Sequence, residues 1–524
     1  MTKTITRREF VEIGAACAVG GSLSSVLHRS ADAAGDVLPS KPNVLVIHTD
    51  QCRIDCLAAY GNPDVRTPNI DNLAADGVRY QNSFCPYPVC TPSRYSLLSG
   101  LYVHEHRGWT NHSTLRPGTP TFASILRGAG YKTKAVGKMH FTPTYLDLGF
   151  DELVLAEQNG PGRWDDDYHR DLRQHDLVDS NDLEDQLEEY RKNARPEYWQ
   201  TFGALVSNLP EEFHSTRWIG DRAAETLQGW ASSGHLLMVG LIKPHHPFDP
   251  PREWCDAYDP AKLTLLPGWT DTCLPRDLAL SKGYFPHERL SESALRLVMA
   301  YYYASIEQID QQIGRMLDIL KRKELYDNAM IIFTGDHGEY MGFHHMLLKG
   351  NYVYDPLVKV PLIIKYPGSK QRGTVSDAFV SNVDIGPTII RQARLEPART
   401  MRGRDLTQPH HEPDMVFAEN RHGRHAMARS RTRKVIVSDR KGASLFFDLE
   451  RDPFEKTNLF DDPAYESEIQ TYINTIKEWR SVEELPGIYL DEDAPRINQP
   501  NVPALRDGHR DEMKAYFARK MREP

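Results

Sequence analysis

The chain has 524 residues, 40% hydrophobic and 26% charged, the composition of a globular protein too long for one small core; a large domain with a smaller companion is expected. A formal net charge of −9 gives no basis for nucleic-acid binding, so an anionic ligand has to be drawn by local cations rather than by the global field. No stretch is apolar for long enough to span a membrane.

The first element is a targeting segment, residues 1–34. Thr6-Arg7-Arg8-Glu9-Phe10-Val11 has a twin-arginine pattern, a weakly apolar run follows from Ile13 to Leu27, and Ala31-Asp32-Ala33 offers a small-residue cleavage site. The expected location is therefore periplasmic or secreted, reached through the twin-arginine export machinery. Val44–His48 is an apolar, β-branched run that predicts a buried strand, and Asp50 and Gln51 follow at its carboxyl end, where open α/β sheets place ligand sites. Cys90-Thr91-Pro92-Ser93-Arg94 and Gly137-Lys138-Met139-His140 come next. Residues 152–213 are polar and acidic and predict a solvated helical insertion rather than a substrate-contacting lid. Leu236–Leu241 reads as a second strand leading into Lys243-Pro244-His245-His246-Pro247-Phe248. Apolar spacing predicts a long helix from Ser291 to Lys323. Met330–Thr334 repeats the first pattern, a strand and then Asp336-His337-Gly338, and Pro361–Lys365 is a further strand. Beyond Ala393 the signals become short β runs (Met415–Ala418, Lys434–Ser438, Ala443–Asp448) and a helix from Tyr465 to Arg480. The fold class is α/β: a doubly wound mixed sheet flanked by helices over residues 40–392, with a smaller C-terminal antiparallel-sheet subdomain and tail over 393–524.

Two strand ends can supply Asp50, Gln51, Asp336 and His337 to one cation. Their oxygens suit a hard ion, most simply Ca2+, and the imidazole keeps Mn2+ open. Of the seven cysteines, Cys17 leaves with the targeting segment; Cys52, Cys56, Cys85, Cys255 and Cys273 are no disulfide framework once Cys90 is set aside. Cys52 and Cys56 are either a bridge or two core residues. No zinc-site spacing is present.

The Cys90–Arg94 stretch resembles the signature of the type I sulfatases, the formylglycine-dependent members of the alkaline phosphatase superfamily. Gly137-Lys138-Met139-His140 resembles their second signature. Arg66–Ala74 is similar to their first helix, Pro244–Phe248 to their Pro-His-x-Pro-Phe turn, and Phe447–Leu459 to their closing segment. The resemblance implies an alkaline-phosphatase-like fold and a Cys90 oxidised by a formylglycine-generating enzyme. The hydrated aldehyde attacks sulfur with one hydroxyl and expels sulfate through the other. It further implies a divalent ion (Ca2+, with Mn2+ or Mg2+ possible) on Asp50, Gln51, Asp336, His337 and the modified Cys90. Asp336 would be the base for the attacking hydroxyl; Arg94, Lys138 and Lys349 would supply positive charge around the modified residue and the sulfuryl oxygens. His245 would be the general acid, with His246 and His344 as rivals, and His140 would take the last hydroxyl proton. Asn111 and His344 would contact substrate, and Trp109, His112, Arg163, Trp164 and His169 are further subsite candidates.

Two departures bear on substrate. Many sulfatases carry Asp in place of Gln51 and Asn in place of His337, and the combination here also occurs in phosphonate monoester hydrolases and choline sulfatases. Phosphonate hydrolases, however, carry Tyr and Thr where this chain has Lys138 and His140. The implied activity is hydrolysis of sulfate monoesters, and export suggests carbohydrate sulfates. A phosphonate or phosphate ester hydrolase is the alternative, and a non-catalytic binding protein the third reading.

Overall fold

The computed structural model describes residues 41–481, apart from short stretches at 159–160, 165, 282, 351 and 409–412, together with residues 509–522. The twin-arginine segment lies outside the described residues. Eight strands, β1 (Asn43–Thr49), β2 (Val78–Phe84), β3 (Lys132–Gly137), β4 (Glu152–Leu155), β5 (His235–Leu241), β6 (Ala329–Gly335), β7 (Leu362–Lys365) and β8 (Thr374–Ser381), form one sheet in the order β4-β3-β5-β1-β6-β7-β2-β8. The pairings from β4 to β6 are parallel, while β7 runs antiparallel to both β6 and β2. The sheet is thus mixed and doubly covered, as its sequence pattern implies. Alternation shows why: Leu45 and Ile47 join the core on one face, and Val44 and Val46 join the core on the other.

Four helices matter below. Helix α1 (Cys90–Ser99) is buried along its whole length. Helix α2 (Glu292–Arg322) starts where the Ser291 hydroxyl accepts the Ala294 N–H at 3.2 Å, and it packs its apolar stripe on the β1/β6 face. Helix α3 (Glu466–Arg480) covers a second, antiparallel sheet of β9 (Val416–Asn420), β10 (His425–Arg429), β11 (Arg433–Ser438) and β12 (Leu445–Asp448), ordered β12-β11-β10-β9. Helix α4 (His509–Lys520) does not join that sheet. Met513, Tyr516 and Phe517 pack with Trp164, Val178 and Leu183 of the 152–213 segment. That segment is less solvated than its composition suggests: it contributes β4 to the sheet and buries Asp166, Asp179, Asp182 and Asp185. Cys52 and Cys56 are both buried and free.

Candidate active site and metal centre

Strands β1 and β6 are parallel neighbours with Thr49 opposite Gly335, so the chain leaves both at one edge and sets Asp50 beside Asp336. The Asp336 N–H donates to the Thr49 carbonyl at 3.1 Å, and the Gln51 N–H to Asp336 Oδ1 at 2.9 Å. Gln51 holds a left-handed backbone (φ 61°) to do so. Cys90 is the first residue of α1, and the rest of its motif fixes that helix start. Pro92 stands in the first turn, where a missing N–H costs nothing. The Thr91 N–H donates to Asn111 Oδ1 at 3.1 Å, the Thr91 hydroxyl to the His140 carbonyl at 2.9 Å, and the Ser93 hydroxyl to the Asp336 carbonyl at 2.5 Å. The thiol then lies 3.3 Å from His337 Nε2, 3.2 Å from Lys349 Nζ and 3.5 Å from Asp50 Oδ1. Burial, reinforced by Asp50, pushes that thiol up to about 11, so as a thiol it is a weak nucleophile at neutral pH.

Arg94 reaches back one turn from Cys90. Its Nε and Nη2 donate to Asp336 Oδ2 and Asp50 Oδ2, each at 3.0 Å, and Nη1 donates to the Lys138 carbonyl at 2.5 Å. Each nitrogen thus donates within the protein, and the side chain is 1% exposed. Arg94 thus holds the two carboxylates, with its charge beside residue 90. Burial pushes the Asp50 carboxyl up, but Lys138, His245, Arg94 and Lys349 together hold it well below the usual carboxylate range.

The donor atoms fit a divalent cation. Asp50, Cys90, Asp336 and His337 each offer an atom within 4.8 Å of the others, all buried. Each is held from behind. Arg94 takes the outer carboxylate oxygens, and the Gln51 amide N–H donates to Glu339, which turns Oε1 inward. His337 Nδ1 lies 2.9 Å from the Gly338 carbonyl and so carries the proton, leaving Nε2 as a lone pair. The Lys349 ammonium stands among these atoms, 2.9 Å from Gln51 Oε1 and 3.0 Å from His337 Nε2, a cation already accommodated by the ligand set.

Around this centre stand Lys138, His140 and His245. Gly137, which precedes Lys138, has φ 90°, and a Cβ there would lie 2.2 Å from the Gly240 carbonyl oxygen, so the tight exit from β3 requires glycine. Lys138 Nζ is 2.8 Å from Asp50 Oδ2. Glu157 accepts the His140 N–H at 2.9 Å, and both ring nitrogens of His140, though buried, have no hydrogen-bond partner among the described residues. Burial, with Lys138 and Arg94, keeps that ring well below its ordinary value and hence neutral. His245 Nδ1 lies 2.7 Å from the His246 carbonyl, which leaves Nε2 free, 4.0 Å from Asp50 Oδ1. His246 instead pairs with Asp185 at 2.6 Å.

His344, Arg163, Trp164 and His169 do not make the contacts expected of them. His344 is fully buried, with Nδ1 3.3 Å from Asp277 and Nε2 2.7 Å from the Phe454 carbonyl, so neither nitrogen is available to a substrate. Left-handed residues at Met341, His344 and His345 turn it away from His337. Asn111 caps α1 through its oxygen. Arg163 is buried against Asp182, Trp164 packs on Phe517, and His169 bonds Asp166, so these three face inward rather than into a subsite. Trp109 packs on Tyr87, and His112 is exposed. The sequence reading overlooked Glu157 and Gln158, which bind the His140 backbone and the Lys138 ammonium. They sit just past the carboxyl end of β4, and that position was the available signal. His344→Ala is expected to cost about 1–3 kcal/mol of stability, because it strands buried polar groups, while kcat stays within about twofold of wild type. Denaturant unfolding and steady-state assays on the same preparation check both.

The family profile described as Sulfatase matches residues 42–395, two thirds of the chain. The chain belongs to the sulfatase family. A second profile, N-sulphoglucosamine sulphohydrolase, C-terminal, matches residues 342–481 of this sulfatase. An arylsulfatase of Clostridium perfringens is 29% identical over 466 residues, covering 82% of this chain and 92% of its own. Among solved structures, the phosphonate monoester hydrolase of Agrobacterium radiobacter superposes with a TM-score of 0.70 at 24% identity, covering 84% of this chain and 96% of that one. BT4656, solved with its substrate D-glucosamine-2-N,6-O-disulfate, superposes with a TM-score of 0.67 at 20% identity, covering 88% and 100%. These neighbours share the fold of the alkaline-phosphatase-like sulfatases. The protein is thus a hydrolase of sulfate esters. No helix among the described residues is long and apolar enough to cross a membrane.

Proposed function

We propose that this sulfatase is exported by the twin-arginine route and cleaves sulfate monoesters of carbohydrates, with Cys90 in its formylglycine form and a divalent ion, most simply Ca2+, on Asp50, Gln51, Asp336 and His337. The observation that carries the reading is the position of Cys90: first in a buried helix, within 3.5 Å of Asp50, His337 and Lys349. An ion on these ligands supplies Lewis-acid polarisation of the ester oxygens. Hydrated formylglycine supplies two hydroxyls on one carbon, one to attack sulfur and one through which the aldehyde is rebuilt.

The protein's own groups do the rest. Arg94 fixes both carboxylates, so that Asp336 is placed to accept the proton of the attacking hydroxyl. Lys138 and Lys349 bring positive charge beside residue 90, where oxygens gain negative charge. His245 presents Nε2 and, once protonated, delivers that proton to the leaving oxygen. His140, neutral and with both ring nitrogens unpartnered among the described residues, accepts the remaining hydroxyl proton. The carbohydrate preference is supported by BT4656, whose substrate is a sulfated glucosamine.

Lys138 and His140 favour sulfate over phosphonate esters. Both esters carry a single negative charge, so charge alone does not choose between them; a cation and a base beside the nucleophile suit expulsion of sulfate. The kcat/KM for 4-nitrophenyl sulfate should exceed that for a matched phenylphosphonate ester by about tenfold or more. His140→Ala should release one equivalent of nitrophenol per enzyme and then stall. Equal or better cleavage of the phosphonate by wild type would overturn the sulfatase substrate assignment.

A further inference from the structure

Gln158 is 1% exposed, and both ends of its amide are hydrogen-bonded. Oε1 accepts from Lys138 Nζ at 3.1 Å; Nε2 donates to Asp182 Oδ1 at 2.8 Å and to the His246 carbonyl at 2.7 Å. Two acceptors on one side can be met only by the NH2, so the amide oxygen has one possible direction, toward the lysine. Asp182 is itself fixed: its N–H donates to Asp179 Oδ1 at 3.1 Å at the start of the helix Ser180–Gln186, and Arg163 holds its outer oxygen. Leu183 of that helix packs in the cluster formed with Met513 and Phe517 of α4.

We infer that Gln158 is a positioning residue for the sulfatase reaction, which it serves through Lys138: it holds the ammonium between its own amide oxygen and Asp50 and ties that lysine to the turn carrying His245. Without the amide oxygen, Asp50 is the ammonium's remaining partner among the described residues, and it moves toward the carboxylate and away from the substrate oxygens. The 152–213 segment is then the buttress of a catalytic charge, anchored on one side by the main sheet and on the other by α4.

The inference rests on the sulfatase reading, and a double-substitution cycle separates the two. Full-length, formylglycine-bearing wild type, Gln158→Leu, Lys138→Met and the double variant are assayed on 4-nitrophenyl sulfate and on 4-nitrophenyl phenylphosphonate. Gln158→Leu should lower kcat at least about tenfold with KM changed by less than about threefold. In the Lys138→Met background the same substitution should lower kcat by less than about twofold, because its effect passes through the missing lysine. An equal loss in both backgrounds, or none in either, overturns the assignment. Thermal unfolding checks that each variant folds, and Gln158→Met, unbranched and of similar length, replaces the leucine variant if that one does not. If wild type prefers the phosphonate, the sulfatase reading falls, while the cycle, read on that ester, still decides the role of Gln158.

Discussion

Cys90→Ala should abolish turnover, lowering kcat at least about 10⁴-fold, while the protein keeps its fold. Residue 90 meets the ligands of β1 and β6 from the start of a helix, and its neighbours Thr91 and Ser93 engage their hydroxyls with the His140 and Asp336 carbonyls. Alanine leaves a small void in a fully buried helix, so any loss of stability is minor beside the loss of rate. Cys90→Ser is the sharper variant. It keeps an oxygen in reach of sulfur but has no second hydroxyl with which to expel the sulfate, so it should give at most a single turnover. Peptide mass spectrometry of active wild type should find residue 90 having lost sulfur and two hydrogens and gained one oxygen, or that aldehyde plus one water. Fully active protein with an unmodified thiol would end the formylglycine reading.

Asp50 and Asp336 should each be worth about 10³-fold or more in kcat, and the two parts of that loss can be told apart. Asp→Ala removes a ligand atom and also an acceptor of Arg94, stranding part of a buried guanidinium at a cost of about 3–5 kcal/mol in stability. Asp→Asn keeps the side-chain shape and an oxygen, so it should fold better while still failing to hold the ion. Chelation of wild type should remove activity, and Ca2+, Mn2+ and Mg2+, added singly, should restore it to different extents. The productive ion should also raise the unfolding temperature of wild type but not of Asp336→Asn, because a ligand that binds only the folded state stabilises it. Full activity in a metal-free preparation would contradict this.

The site was legible where chemistry follows a strong local pattern. Asp50 and Asp336 stand out because each closes an apolar strand, and the tertiary structure only had to place those strands side by side. His344 misled because nearness in sequence to His337 says nothing about direction: a run of left-handed residues carries it to Asp277 instead. The acidic 152–213 segment looked solvated because its buried carboxylates are stabilised by partners distant in sequence, such as the Asp185–His246 pair at 2.6 Å, 61 residues apart. Strand β10, His-Ala-Met-Ala-Arg, carries no β-branched residue and owes its state to the strands on either side of it.

The burial of Cys90 also sets a clock. The thiol is sealed by His337, which lies 247 residues later in the chain. A ribosome adding about 5–20 residues per second needs on the order of tens of seconds to cover that interval. An enzyme that oxidises this thiol ahead of folding would have to act within that interval or soon after it, before β6 docks beside β1. If Cys90 acts as formylglycine, slower translation of the stretch before Ala329 should raise the fraction of active molecules, and overexpression that outruns the modification should yield folded but inert protein.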